Sequence, residues 1–322
     1  MTDVPFWEVP FESGPMPKNG EGFDVIVVGG GPGGAAAAGY LAIAKKRVLL
    51  IEKEKWPRDK VCGDAVGGKS LSHVAKLGVK GRLEKNPHFR VTSILFGSPK
   101  GITVDIPLPK EEVDSREAGY SLPRIQFDRM LFERATELVT ENGGMVVQGA
   151  NVKKMLHEGE SGDARRFTGV VVSHDREEKK WHAPVIIGAG GFNCPVARSV
   201  VKEAYSETLI DREHYCGGWR EYWQGVEGCE AEEGAIEIHF LNKSPGYFWL
   251  FPVGDGVVNV GVGVVLSELD KQKRKLKEMQ AEIVSSHPSL GPRFRNAKMI
   301  EGSGKGWQLP FGSPRKGAEL QP

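Results

Sequence analysis

The stretch that decides the fold runs Phe23-Asp24-Val25-Ile26-Val27-Val28-Gly29-Gly30-Gly31-Pro32-Gly33-Gly34 and, after an alanine-rich segment, Arg47-Val48-Leu49-Leu50-Ile51-Glu52. Phe23 to Val28 is a short apolar run, the pattern of a strand buried on both faces of a parallel sheet. Gly33 to Ala44 reads as a helix and Arg47 to Glu52 as a second buried strand. Between the first strand and the helix, Gly29, Gly31 and Gly34 satisfy G-x-G-x-x-G. Each glycine answers a physical demand: a tight turn, backbone approach to a pyrophosphate, and close packing of helix on strand. With Pro32 and Gly33 the loop opens the helix, whose N-terminus faces phosphate charge. Glu52 ends the second strand, where a carboxylate accepts hydrogen bonds from a ribose diol. A plain glycine-rich turn is the bland alternative. Strand, loop, helix, strand and terminal acid agree, and the residues predict a bound dinucleotide, FAD or NAD.

Outward from this unit, 322 residues are enough for a sizeable core in one large or two intertwined domains. Lys plus Arg number 43 against 42 acids, a balance that does not point to nucleic acid, and no nucleic-acid partner is expected. Cys62, Cys194, Cys216 and Cys229 form no C-x-x-C pair, and neither they nor the histidines have metal spacing, so no metal is expected. A reducing, cytoplasmic setting follows. Residues 1–22 lack the basic start and apolar core of a secretory signal. No run approaches the roughly 20 apolar residues of a membrane span, so any membrane contact is expected to be peripheral.

Further along, residues 91–122 read as extended segments with turns. Gln126 to Asn142 reads as a helix with Phe127, Met130, Leu131, Ala135 and Leu138 on one side. Phe167–Ser173 and Trp181–Ile187 predict a hairpin around the charged stretch Asp175–Lys180. Trp219 to Val265 alternates with period two and predicts antiparallel strands, followed by an amphipathic helix over Leu266–Ser286. In the alternating region Tyr247, Trp249 and Phe251 share one face, with Phe248 and Leu250 on the other. Gly254-Asp255-Gly256 predicts a hairpin turn. In the returning strand Asn259, Gly261 and Gly263 share a face, leaving room for something flat or long. An ordinary sandwich core is the competing reading, since aromatic stripes usually just pack. The basic residues around the last helix, Lys271, Lys273, Arg274, Lys275 and Lys277, suit either a lipid surface or, more often, a solvated face.

After Glu52 the chain continues Lys53-Glu54-Lys55-Trp56-Pro57-Arg58-Asp59-Lys60-Val61-Cys62-Gly63-Asp64. This resembles the P-R-x-K-x-C-G-(D/E) segment of the geranylgeranyl reductase family of flavoproteins. Leu122-Pro123-Arg124-Ile125-Gln126-Phe127-Asp128 resembles its R-x-x-F-D element, and Gly188-Ala189-Gly190-Gly191 its G-A-D-G element, with Gly190 where many relatives have Asp. Tyr247-Phe248-Trp249-Leu250-Phe251-Pro252 followed by Gly261-Val262-Gly263 is similar to the Y-x-W-x-F-P…G-x-G signature of archaeal-type digeranylgeranylglycerophospholipid reductases. The resemblance covers about residues 23–310.

The resemblance implies an α/β fold of the p-hydroxybenzoate hydroxylase type: a Rossmann-like FAD-binding domain interleaved with an antiparallel-sheet substrate domain. The expected boundaries are a flexible arm over 1–22, an FAD-binding domain over 23–90, 123–210 and 290–322, and a substrate domain over 91–122 and 211–289. A last flavin element, Gly-Asp-(Ala/Ser) before a long helix, should follow the segment ending near Phe311. No Gly-Asp pair stands there, so the chain is expected to be C-terminally incomplete. The cofactor implied is FAD, held by Gly29, Gly31, Pro32, Gly33, Gly34, Glu52, Lys53, Lys60, Cys62, Gly63, Asp64, Arg124 and Gly190. The substrate implied is a geranylgeranyl lipid lying against Tyr247, Trp249, Phe251, Gly261 and Gly263, with NAD(P)H or a ferredoxin as electron donor. Reducing an isolated C=C needs a hydride on one carbon and a proton on the other. Cys62 beside Asp64, with Tyr247 as a second candidate, is the expected acid, against the commoner fate of a free cysteine as a small buried hydrophobe. Arg124 either lies at the flavin or pairs with a surface carboxylate. A flavin monooxygenase of the same fold and a non-catalytic lipid-binding fragment remain alternatives.

Overall fold

The computed structural model of the chain describes residues 4–159, 166–210 and 212–312. It divides into two units interleaved along the sequence, Met1–Asp59, His73–Val79 and Ile125–Leu209 against Lys60–Ser72, Lys80–Arg124 and Ile210–Pro322.

The first unit is built on a parallel four-stranded sheet in the order Val185–Gly188, Val25–Val28, Val48–Ile51, Met145–Val147. Every residue of Val25–Val28 and Val48–Ile51, the central parts of the two strands predicted first, is buried, as a sheet covered on both faces requires. The helix Pro32–Ile43 buries Ala35, Ala38 and Ala42, side chains small enough for close approach to the sheet. The helix Arg124–Glu141 buries Phe127, Met130, Leu131 and Ala135 at the predicted spacing. A three-stranded antiparallel sheet of Asn151–Glu158, Arg166–His174 and Glu177–His182 completes the unit, with Trp181 fully buried in the core beside Val170 and Val172.

Two expectations change here. The hairpin turns at Asp175 and Arg176, both at positive φ, so Glu177–Lys180 is strand and not turn, while Val185–Gly188 leaves the hairpin for the parallel sheet. The arm expected to be flexible is tied down over its described part, residues 4–22. Arg129 donates to the Val9 carbonyl at 2.8 Å and stacks over Phe11, whose ring meets Phe132 edge-on. Gly20 N–H donates to the Lys180 carbonyl at 2.8 Å. Apolar rings with partners and satisfied carbonyls replace the solvated arm.

The second unit is a ten-stranded sheet. Its central path is Tyr215–Gln224, Val257–Val265, Gly246–Gly254, Glu233–Phe240 and Phe89–Gly97, all antiparallel neighbours except the last pair, which is parallel. The turn at Asp255-Gly256 has positive φ at both residues, the geometry a two-residue hairpin needs. One face carries Phe248, Leu250, Val258, Val260, Val262 and Val264 into a core with Met279, Leu290 and Phe294. The other carries Trp249 and Phe251 into a second cluster with Phe89, Val91 and Ile236. The predicted face alternation therefore holds.

The expected long helix is two helices, Leu266–Gln272 and Leu276–Ser286, broken at Lys273, which takes the left-handed conformation at φ 52°. Four of its five basic residues are engaged by neighbours: Lys271 with Glu268 at 2.7 Å, Lys275 with Glu278 at 3.2 Å, Arg274 with Glu282, and Lys277 over the Trp219 ring. The domain boundaries also move. Segments 60–72 and 80–90 belong to the second unit, as do the described residues of 290–312, because Lys298–Met299 and Lys305–Pro310 pair with Tyr215–Gln224. Residues 1–3 of the arm and 313–322 of the last segment lie outside the described residues. Among the described residues no helix is long and apolar enough to cross a membrane.

Candidate active site

In the first unit the glycine loop has the shape its spacing demands. Gly29 sits at φ 111°, where a Cβ would stand 2.4 Å from the Ala189 carbonyl oxygen. At Gly34 a Cβ would meet the Gly29 carbonyl oxygen at 1.7 Å, so only glycine lets the helix start this close to the strand end. Gly190 lies against Cys194, with a Cβ contact of 3.2 Å. Gly31 and Gly33 are different. Around Gly33 no atom of the described residues comes within 4 Å of a would-be Cβ, and at Gly31 the nearest is Arg58 Nη2 at 3.8 Å. Gly31 caps the helix with no side-chain hydrogen bond, and Pro32 occupies the first turn. A cradle of backbone with open space before an uncapped helix end fits a pyrophosphate.

Glu52 lies at the end of its strand as predicted, 5% exposed. Its Oε2 accepts from Gly30 N–H at 2.8 Å and its Oε1 from Glu54 N–H at 2.9 Å. Arg58, not singled out from the sequence, places Nε 3.4 Å from Glu52 Oε2, donates from Nη2 to the Gly30 carbonyl at 3.0 Å and from Nη1 to Asp128 Oδ2 at 3.2 Å, and stacks on Trp56. Both Arg58 and Asp128 lie inside the quoted motif segments, which was the available signal. Lys53 is exposed beside Glu54.

The second unit gathers the other predicted residues. Asp64 is fully buried at φ 70°. Its Oδ2 accepts from Tyr222 O–H at 2.6 Å and from Asn259 Nδ2–H at 2.6 Å, while Oδ1 is buried without a hydrogen-bond partner among the described residues. Burial pushes the Asp64 carboxyl up to about 7, against the pull of Tyr222, Asn259, Arg220 and Arg124. Asn259 also donates to the Cys62 carbonyl at 2.7 Å and accepts from Trp249 Nε1–H at 2.7 Å. Tyr247 is 43% exposed, and its hydroxyl is raised by burial and by the neighbouring Cys216 and Cys62 thiols. The fold thus brings Cys62, Asp64, Tyr247 and Trp249 to one side of one sheet. Gly63 lies under Phe251, where a Cβ would come 2.7 Å from the ring. Lys60 holds its ammonium 5.2 Å above the Trp307 ring. Arg124 opens the helix Arg124–Glu141 and is one of the charges acting on Asp64.

The space expected over Gly261 is filled. A Cβ there would stand 2.1 Å from Trp249 Cζ2, so this glycine makes room for the indole and not for a substrate. At Gly263 the Trp249 ring and the Gly217 carbonyl lie at ordinary contact distance, 3.7 Å. Tyr222 and Arg220 were missed, and Asn259 was read only as a face position. A lone amide in the run Val257-Val258-Asn259-Val260 was the legible hint, because an unpartnered amide is costly in an apolar strand.

Comparison with known proteins places this geometry. The chain is 28% identical over 249 residues to a menaquinone reductase of Mycolicibacterium smegmatis, covering 75% of this chain and 55% of that protein. It is 29% identical over 291 residues to digeranylgeranylglycerophospholipid reductase 1 of Methanothermobacter thermautotrophicus, covering 86% and 63%. The chain therefore spans less than two thirds of the length of these relatives. Among solved structures, a geranylgeranyl bacteriochlorophyll reductase-like protein of Thermoplasma acidophilum superposes with a TM-score of 0.70 at 23% identity, covering 90% of this chain and 66% of that one. A myxobacterial chondrochloren halogenase superposes at 0.72 and 23%, covering 90% and 64%. These two share the fold. A family profile described as FAD binding domain matches residues 22–291. With the glycine cradle and Glu52 in place for a dinucleotide, the cofactor is FAD, and the chain belongs to the FAD binding domain family.

Proposed function

We propose that the chain carries the cofactor-binding and substrate-facing parts of an FAD-dependent reductase that saturates isolated C=C bonds in geranylgeranyl chains of membrane lipids. The observation that carries this reading is the second unit's single sheet face. It sets an aromatic strip, Tyr247, Trp249 and Phe251, beside a buried carboxyl that burial holds near neutrality. An isoprenoid offers almost no polar handle, so an apolar surface is what its recognition needs. An alkene with no carbonyl beside it needs a proton source, and Cys62, Asp64 and Tyr247 are the groups on that face able to hold one.

Gly29, Gly31, Pro32, Gly33 and Gly34 hold the pyrophosphate and Glu52 the ribose, with Gly190, Lys53, Lys60, Gly63 and Arg124 as further cofactor contacts. Bound and reduced, FAD supplies the hydride. The chain's own part is to keep water from the apolar face, to lay the prenyl chain along Tyr247 over the buried ring of Phe251, and to deliver the proton. Trp249 is held against Gly261 by its bond to Asn259 and serves as the floor of that surface. The partners are the lipid and an electron donor, NAD(P)H or a ferredoxin.

The test is mass spectrometry of a geranylgeranyl ether lipid incubated with the FAD-loaded protein and dithionite. Stepwise gain of hydrogen pairs is the expected outcome, and an unchanged lipid overturns the reading. Menaquinone is the second substrate to assay, favoured by the relatives named menaquinone reductase. Oxygen-dependent NAD(P)H consumption stimulated by a small aromatic would instead indicate a monooxygenase.

A further inference from the structure

The hydrogen bonds around Asp64 are not symmetric. Trp249 Nε1–H is a donor only, so the Asn259 atom 2.7 Å from it must be the amide oxygen. The Asn259 amino group then has to face the other way, where it donates to Asp64 Oδ2 and to the Cys62 carbonyl. Tyr222 O–H donates to the same Oδ2. Two donors at 2.6 Å leave Oδ2 no room for a proton of its own. Oδ1, equally buried, has no hydrogen-bond partner among the described residues.

We propose that Tyr222 and Asn259 are positioning residues that make Asp64 a one-sided acid, anchoring Oδ2 and placing the acidic proton on Oδ1, from which it is given to the substrate alkene when the side chains that seal this atom move aside. This rests on the proposed reduction. In the step, the hydride forms one C–H bond, and the alkene's π electron pair takes the Oδ1 proton to form the second. The Oδ1–H bond breaks, and Asp64 is left as a carboxylate that regains a proton from solvent before the next turnover. Arg220 and Tyr222 from the strand Tyr215–Gln224, Arg124 from the helix start, Asn259 from the returning strand and Cys62 two residues upstream are the charged, titratable or amide groups around it. The two arginines favour the carboxylate once the proton has left. Without Tyr222 the carboxyl would rotate and share its proton between both oxygens. Without Trp249 the Asn259 amide would lose its fixed direction.

The experiment is difference infrared spectroscopy of the full chain across pH, without substrate, comparing the wild type with Asp64→Asn and Tyr222→Phe. A protonated-carboxyl band present in the wild type, absent in Asp64→Asn and lost with a midpoint near pH 7 is expected. Tyr222→Phe removes a donor to the carboxylate and should move that midpoint up by roughly one to two pH units. The pH profile of lipid reduction should move with it while KM stays constant. A wild type with no such band below pH 6, a midpoint unmoved in Tyr222→Phe, or a pH profile that ignores the shift overturns the proposal. Infrared behaviour as expected with no lipid reduced at any pH overturns the proposed reaction instead, and so separates the two failures.

Discussion

Glu52 and Asp64 are both nearly sealed from water, at 5% and 0% exposure, and the two units surround them in opposite ways. Glu52 meets backbone N–H groups of Gly30 and Glu54 and the guanidinium of Arg58. Asp64 meets a phenol and an amide on one oxygen and, among the described residues, no hydrogen-bond partner on the other. Donors of the first kind are supplied by the glycine loop and by the segment that follows the second strand, a local device suited to holding a ligand in place. Donors of the second kind arrive from strands distant in sequence and leave a carboxyl poised between its two protonation states, a device suited to moving a proton.

The largest effect expected from this contrast is a pH dependence of stability confined to the second unit. The Asp64 pKa is raised from 3.8 to about 7, so the folded state binds a proton that the unfolded state has released. Its contribution to stability is fully present below pH 3.8, falls as pH rises toward 7 and is gone above it. A shift of this size corresponds to about 4 kcal/mol. Asp64→Asn should remove that slope, so the thermal midpoint of the variant should rise relative to wild type between about pH 4 and 7 and stay level above that. Parallel melting curves at all pH values would show that Asp64 is not desolvated, and the contrast with Glu52 would collapse.

Next in size is Gly261→Ala. A methyl group there would lie 2.1 Å from Trp249 and 2.6 Å from the Trp219 carbonyl oxygen, and overpacking of this kind costs about 3 kcal/mol. Chemical denaturation should register the loss while FAD affinity, expected to rest chiefly on the glycine cradle and Glu52 of the other unit, changes little. Loss of FAD with stability intact would reverse the assignment of roles to the two units.

The difference between the carboxylates also explains what could be read from the sequence. The strand, glycine loop, helix, strand and Glu52 are contiguous, and their periodicity and turn chemistry are local, so they were legible. So was the alternation of Tyr247, Trp249 and Phe251, since side-chain direction in a strand follows from residue parity. The partners of Asp64 were not. Tyr222 and Asn259 lie 158 and 195 residues away in sequence, and no local pattern encodes such pairings. Gly261 was misread for the same reason: a missing side chain makes space, but which neighbour takes the space is decided by tertiary packing. The break at Lys273 was hidden because its residues are ordinary helix formers, and no glycine marks the left-handed residue that ends the first helix.

Glu52→Gln probes the local device. One of the two backbone donors that now meet carboxylate oxygens would face an amide N–H instead, and the ribose would lose a charged acceptor. FAD affinity measured by fluorescence titration should fall by about 2 kcal/mol, roughly 30-fold. An unchanged affinity would remove Glu52 from the cofactor site and leave Arg58 as its structural partner.

The smallest effect separates the cradle from the fold. Gly33 has no atom of the described residues within 4 Å of a would-be Cβ and lies in the first turn of the helix Pro32–Ile43, outside the positive-φ residues. Alanine there suits the helix better than glycine, so the cofactor-free protein should gain about 0.5–1 kcal/mol. The same methyl group intrudes on the space the backbone leaves for a pyrophosphate, so FAD binding should weaken even as the fold strengthens. Opposite signs in the two measurements would mark the open space at Gly33 as reserved for a ligand, in contrast to Gly261, whose space is taken by a side chain of the protein itself. A gain in stability with FAD affinity unchanged would mean that the cradle lies on the other side of the loop, around Gly31 and Arg58.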